Sequence, residues 1–216
     1  MAVYLLDDEL SFPHPELSNS DGLLAVGGDL SVERLLLAYQ NGIFPWFEDD
    51  KEILWWSPDP RLVLFLDDFK VSKSLRRIIN SDKFQVKFNS QFSNVVEACA
   101  SAKRNDEYGT WITDNMKKAY LDLHKEGYAH SVEVYENDKL VGGLYGLTIG
   151  KVFCGESMFH TVSNASKVAL FYLVESLKSK KFHFIDAQTP TDHLKSMGAV
   201  ELSRSRYLKQ LRKGVE

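Results

Sequence analysis

The chain has 216 residues, room for a full core in one large domain or two unequal ones, and its 44% apolar and 26% charged content is that of an ordinary globular protein. No run approaches the ~18 apolar residues of a membrane span, and Cys99 and Cys154, without CxxC spacing, indicate neither a disulfide framework nor a zinc site and fit a reducing, cytoplasmic compartment. A net charge of −4 means that any nucleic acid must be met by a local basic patch.

The opening stretch, Met1 to Asp8, lacks a basic segment and a long apolar run, so no signal peptide is expected. Residues 1 to about 60 read as a turn-rich unit. Ser31 is placed to cap a short helix through Tyr39, stopped by Asn41-Gly42. Gly27-Gly28 lacks both GxGxxG spacing and a following Lys-Ser/Thr, so it is no phosphate loop. Trp46, Trp55 and Trp56 then fall among prolines, in what must be loop or short edge structure. Aromatics there line a pocket or fasten a small domain to a larger one, and the two readings are compatible.

From Arg61 the pattern changes. Leu62–Phe65 reads as a strand, followed by a basic helix holding Lys70, Lys73, Arg76, Arg77 and Lys83. Lys73, Arg76 and Arg77 share one face at i, i+3 and i+4. Phe84–Phe88 alternates as a strand. A helix from about Ser93 follows, then a break at Gly109–Thr113 carrying Trp111, then a helix from Asp114 to Glu126-Gly127.

Residues 138 to 190 hold the most informative stretch. Glu136–Lys139 turns between an alternating run and the glycine-rich Leu140–Gly146, which predicts a hairpin. Val152–Gly155 is the next strand, with Glu156 following it. Ser163 or Asn164 caps an amphipathic helix striped by Val168, Leu170, Leu173, Val174 and Leu177. His183–Ile185 restarts a strand that Asp186 ends, with Gln188 two residues on. Acids at the ends of core strands are either turn and helix caps or functional groups, because a buried carboxylate needs partners. The order hairpin, strand, helix, strand points to an α+β core rather than a bundle. Arg204, Arg206, Lys209, Arg212 and Lys213 give the C-terminal segment a second basic cluster.

Several strings in this order carry a resemblance. They include Gly22–Leu30, Gly42–Phe47, Trp55–Arg61, Gly109–Ile112, Gly142–Gly146, Phe153–Phe159, Asn164–Lys167 and Asp186-x-Gln188. Together they make the chain resemble the leucyl/phenylalanyl-tRNA–protein transferases, which add Leu or Phe from aminoacyl-tRNA to protein N-termini. It departs from that family at Met197, where a leucine is common, and in stopping sooner than its longer members. The resemblance implies a small N-terminal domain (1–60) on a GNAT-like, Fem-type aminoacyl-transferase domain (61–216), with a mixed sheet flanked by helices. It implies no cofactor and no metal, since an aminoacyl ester is already activated. The partners implied are Leu-tRNA or Phe-tRNA, with Met-tRNA also accepted, and acceptors beginning with Lys or Arg, marked thereby for degradation.

The same resemblance implies roles for residues. Gln188, held by Asp186, receives the acceptor amine, and Glu156 orients the amine or the ester. Trp46, Trp111, Leu144, Met158 and Ser157 surround the donor side chain. The shared basic face of Lys73, Arg76 and Arg77, rather than the resemblance, is the reason to expect tRNA there, with the cluster from Arg204 to Lys213 as the alternative. An acidic surface near Glu156 and Asp186 is expected to suit the basic acceptor. Two rival readings fit less well. An acyl-CoA N-acetyltransferase needs a glycine turn before the helix at 164, where Phe159–Asn164 has none. An RNA-binding module needs basic and aromatic residues interleaved on a sheet, whereas here they lie apart. No two histidines have metal-ligand spacing, and His130 and His193 read as structural.

Overall fold

The computed structural model describes residues 3–102 and 111–215. Gly109 and Thr110 of the Trp111 motif lie outside the described residues. The N-terminal part holds β1 (Tyr4–Leu6), β2 (Leu23–Gly27), α1 (Val32–Gln40), β3 (Phe44–Pro45) and β4 (Leu54–Trp56). Its strands form a small sheet ordered β1-β2-β4-β3. Ser31 caps α1 through the Arg34 amide as its sequence predicts, and Asn41 ends it.

The rest comprises β5 (Arg61–Phe65), α2 (Lys73–Ile79), β6 (Gln85–Phe88), α3 (Phe92–Ser101), α4 (Asp114–Lys125), β7 (Ala129–Glu136) and β8 (Lys139–Ile149). It continues with β9 (Val152–His160), α5 (Ala165–Ser179), β10 (Phe184–Gln188), α6 (Asp192–Ser196), β11 (Val200–Leu202) and α7 (Arg204–Val215). Seven strands form one sheet, ordered β11-β5-β10-β9-β8-β7-β6. Every neighbouring pair is antiparallel except β9 and β10. Parallel neighbours need a crossover, and α5 supplies it.

Both faces of the sheet are covered, which explains why its central strands read as nearly continuous apolar runs. Side chains alternate between the faces. Leu62, Leu64, Leu144, Phe153 and Ile185 pack with α5, whereas Val63, Tyr145, Leu147, Cys154 and Phe184 pack with α3, α4 and α7. The second cluster runs on into Leu24, Leu35, Tyr39 and Trp55, so the small sheet and the large one share a core. The glycines of β8 mark close approaches. A Cβ on Gly142 would stand 2.5 Å from the Ala165 Cβ, and one on Gly146 would stand 2.2 Å from the Cys154 carbonyl. α5 could not pack down on β8 with a larger residue at Gly142, nor could β9 keep its place beside β8 with one at Gly146.

Several expectations need correction. β9 runs on to His160, so Glu156 lies inside a strand rather than after one, because the β8 pairing continues beyond Gly155. Asp186 likewise lies inside β10. α2 covers only Lys73–Ile79, leaving Lys70 and Lys83 outside it. Asn164 takes the N-cap of α5 in a left-handed conformation (φ 70°), but its side chain makes no capping bond. Arg204 is no tail residue, since it is buried and donates from Nη1 to the Ser57 carbonyl at 2.6 Å. Cys99 and Cys154 are both buried, and no helix among the described residues is long and apolar enough to cross a membrane.

Candidate active site

β9 and β10 each carry one irregularity, and the candidate site is built on the pair. Tyr145 pairs with Ser157 and Gly146 with Gly155, so Glu156 is the extra residue of a bulge in β9. On β10, Asp186 pairs with Val63 and Gln188 with Leu62, leaving Ala187 extra. Bulges re-aim side chains and are common beside active sites. The backbone pairing of β9 with β10 stops at Cys154 and Asp186. Two residues further along each strand, Gln188 Nε2 donates to Glu156 Oε1 at 2.9 Å, so a side-chain bond continues where the ladder ends.

Gln188 has φ 61°, an uncommon conformation for a residue other than glycine, which costs of order 1–3 kcal/mol and persists only where its surroundings enforce it. Asp186 does the enforcing. Its Oδ1 accepts the Gln188 backbone N–H at 3.0 Å. The Arg61 guanidinium grips the same carboxylate through Nε (2.8 Å) and Nη2 (2.6 Å), and the Tyr207 hydroxyl donates to Oδ2 at 2.8 Å. Arg61 also donates to the Gly42 carbonyl at 3.1 Å, its plane lying over the rings of Phe44 and Tyr207. Asp186 is 0% exposed and its charge is met by Arg61, so it offers no acidic surface to a substrate. It anchors the Gln188 backbone and does not line the cavity that opens at Glu156.

Glu156 is 9% exposed. Tyr120 donates to its Oε2 at 2.6 Å, and the Tyr120 and Tyr39 hydroxyls are 2.6 Å apart. Burial drives the Glu156 carboxyl up to about 7, with the Asp186 charge adding to the rise and hydrogen bonds from Tyr120, Tyr39 and Gln188 opposing it. A carboxyl poised there takes up and gives back protons near neutrality.

A cavity of about 450 Å³ opens at this point, lined by Glu156, Gln188, Trp46, Trp111, Leu144, Ser157 and Met158. All the residues expected around a donor side chain thus border one space, and Asp186 does not. Phe153, Leu170, Leu173 and Ile185 complete the apolar wall, and His193, expected to be structural, lies exposed at its edge. The tryptophans divide their tasks. Trp46 is 43% exposed at the cavity, whereas Trp55 is fully buried and donates to the Gly27 carbonyl at 2.9 Å. Lys73, Arg76 and Arg77 lie exposed on α2, outside the cavity. Arg76 sits over the Phe171 ring, 5.3 Å from its centroid, on the helix whose Leu170 and Leu173 form the cavity wall.

No local signal in the sequence places Arg61, Tyr39, Tyr120 and Tyr207 in this arrangement. Arg61 stands in the Trp55–Arg61 string, but nothing near it in the chain marks Asp186, 125 positions away, as its partner.

The sequence model for leucyl/phenylalanyl-tRNA protein transferase matches residues 63–212, and the model for the N-terminal domain of the same proteins matches 28–59. The leucyl/phenylalanyl-tRNA–protein transferase of Pseudoalteromonas atlantica is 55% identical, over 99% of this chain and 92% of its own. That of Flavobacterium psychrophilum is 53% identical, over 98% of this chain and all of its own. Among solved structures, FemX aligns with 83% of this chain and 70% of its own at 9% identity and a TM-score of 0.49, too distant for any chemistry to transfer.

Proposed function

The chain belongs to the leucyl/phenylalanyl-tRNA–protein transferase family, and we propose that its cavity holds the donor's Leu or Phe side chain while Glu156 and Gln188 handle the acceptor amine. The protein is an aminoacyltransferase, moving Leu or Phe from aminoacyl-tRNA to protein N-termini. The observation that carries the assignment of residues is the 2.9 Å bond between Gln188 Nε2 and Glu156 Oε1 on the wall of an otherwise apolar cavity.

With its Nε2 committed to Glu156, Gln188 presents its Oε1 to the incoming amine, turning the nitrogen lone pair toward the ester carbonyl. An α-amino group has a pKa of about 8, so a sizeable neutral fraction exists near pH 7. The nitrogen attacks the carbonyl carbon. Its proton passes to Glu156 and is returned to the ribose oxygen as the C–O bond breaks, leaving a peptide bond, a deacylated tRNA and Glu156 as it began. Positioning of the two reactants supplies most of the rate. An apolar slot separates side chains that differ by a methylene by only about 10- to 200-fold, so Met-tRNA is expected as a poorer donor.

The wider reading includes acceptors beginning with Lys or Arg, marked thereby for degradation, and a cytoplasmic setting in keeping with two buried cysteines that lack CxxC spacing. It assigns tRNA to the Lys73, Arg76 and Arg77 face. It divides the chain into a small domain (1–60) and a catalytic domain (61–216), in line with the separate sheets and the two sequence matches. The test is transfer of labelled Leu from Leu-tRNA to an Arg-initiated peptide, run beside labelled acetyl-CoA. Leu transfer alone is expected; acetyl transfer alone would overturn the reading.

A further inference from the structure

The enclosure of Asp186 leaves an open question of charge. If a basic acceptor is to be recognised, the negative groups must lie elsewhere, because Arg61 and Tyr207 occupy the Asp186 carboxylate. A second cavity, of about 330 Å³, adjoins the first, and Trp46 lines both. Its apolar surface is Trp46, Phe47, Leu54 and Trp56, the two tryptophans meeting edge to face with centroids 5.6 Å apart. The Trp56 ring is fixed there by donating Nε1–H to the Trp46 carbonyl at 2.7 Å. Glu48, Asp49 and Glu52 complete the lining.

Those carboxylates are not consumed by the fold. Asp49 pairs with Lys51 at 3.3 Å, whereas Glu48 and Glu52 have no ion pair among the described residues. Asp50 turns aside to accept the Thr113 hydroxyl, which ties this loop to the segment beside Trp111. Aromatic walls attract a cation through the ring quadrupole, and carboxylates at the rim add charge-assisted hydrogen bonds. The same rim repels a phosphate backbone, so the groove is unsuited to the tRNA.

We propose that this groove seats the cationic first side chain, lysine or arginine, of the acceptor polypeptide, while the acceptor's α-amine reaches past Trp46 to Gln188 and Glu156. The inference rests on the function proposed above and gives that site its acceptor subsite. Recognition through an open, partly screened rim is modest per carboxylate, so it discriminates among acceptors without trapping the product.

The experiment compares two peptides identical but for their first residue, arginine or citrulline, the latter having nearly the shape of arginine without its charge. The donor is Phe-tRNA throughout. Wild type is set beside a variant combining Glu48→Gln, Asp49→Asn and Glu52→Gln, all at exposed positions, and beside Glu52→Lys alone. Wild type should favour arginine in kcat/KM, and the triple variant should reduce that ratio about tenfold, mostly through KM for the arginine peptide. Glu52→Lys should reduce it as well. A wild-type ratio near one, or a ratio unchanged in both variants, overturns the groove while leaving the transferase reading intact. Absence of wild-type transfer to either peptide overturns the reading beneath it.

Discussion

Gln188 and Glu156 meet side chain to side chain two residues beyond the last backbone pair of their strands. The parallel ladder is thereby closed by the two groups that also line the cavity. A bulge in each strand sets this up, and the Asp186–Arg61 pair holds one of the bulges in place.

That pair makes the first prediction. Arg61→Met strands the enclosed Asp186 carboxylate, and breaking a buried pair in this way costs about 3–5 kcal/mol. Asp186→Ala should be similarly costly, because it strands the guanidinium instead. The combination Arg61→Met with Asp186→Leu should recover much of the loss in stability while transfer stays low, since Gln188 loses its anchor. Urea denaturation of the three variants checks this; strict additivity of the two single losses would show that the pair does not act as a unit.

Glu156 leaves a signature in stability. Its carboxyl is raised from 4.5 to about 7, so the folded state holds the proton more tightly than the unfolded chain does. The resulting stability is fully present below pH 4.5 and is lost as pH rises through about 7. Relative to Glu156→Gln, the wild type should lose about 3 kcal/mol across that window. Denaturation midpoints measured from pH 4.5 to 8 would run parallel for the two proteins if the carboxyl were not raised.

The cavity wall predicts donor effects. Trp111→Ala enlarges the slot, so KM for aminoacyl-tRNA should rise, and the preference should move toward Phe by several-fold, within the ~10- to 200-fold that one methylene commands. Leu144→Ala should act in the same direction. Steady-state kinetics with Leu-tRNA and Phe-tRNA as separate donors tests this, and identical kinetics with both would make these residues plain packing.

Binding of tRNA by an acidic protein predicts a salt effect. Each phosphate contact contributes about 0.7 to 0.9 to the slope of log affinity against log salt. Arg76→Ala with Arg77→Ala should flatten the slope by about one to two, and equally for Leu-tRNA and Phe-tRNA, because phosphate contacts carry no information about the amino acid. Transfer from a 3′-aminoacyl adenosine should hardly change. An unaltered slope in salt-titrated binding would move the tRNA to the exposed Arg206, Lys209, Arg212 and Lys213 of α7.

Much of this was legible in the sequence. The periodicity of α3, α4 and α5 and the turn at Asn137-Asp138 give the helices and the hairpin directly, because each depends on neighbours in the chain. The strings around Glu156 and Asp186-x-Gln188 contain the two polar groups, Glu156 and Gln188, that meet on the cavity wall. What could not be read was how the acids are used. A bulge adds a residue without changing composition, so Glu156 looks like the end of a strand when it is the displaced residue inside one. Asp186 looks like an accessible acid because Arg61 and Tyr207 reach it only through the tertiary fold. The network of Tyr39, Tyr120 and Glu156 likewise joins α1, α4 and β9, three elements with no local signal linking them.

The central claim is that Glu156 is the group that takes the amine proton, and the pH dependence of kcat under single-turnover conditions tests it most directly. Wild-type transfer should rise with pH through an inflection near 7, where Glu156 loses its proton. Tyr120→Phe removes a hydrogen bond that favours the carboxylate, so its inflection should move upward by about one unit. Glu156→Gln should be slow and lack the inflection near 7, keeping only the rise near pH 8 where the acceptor amine itself loses its proton. An inflection near 7 that persists in Glu156→Gln would assign the titrating group elsewhere and contradict the account.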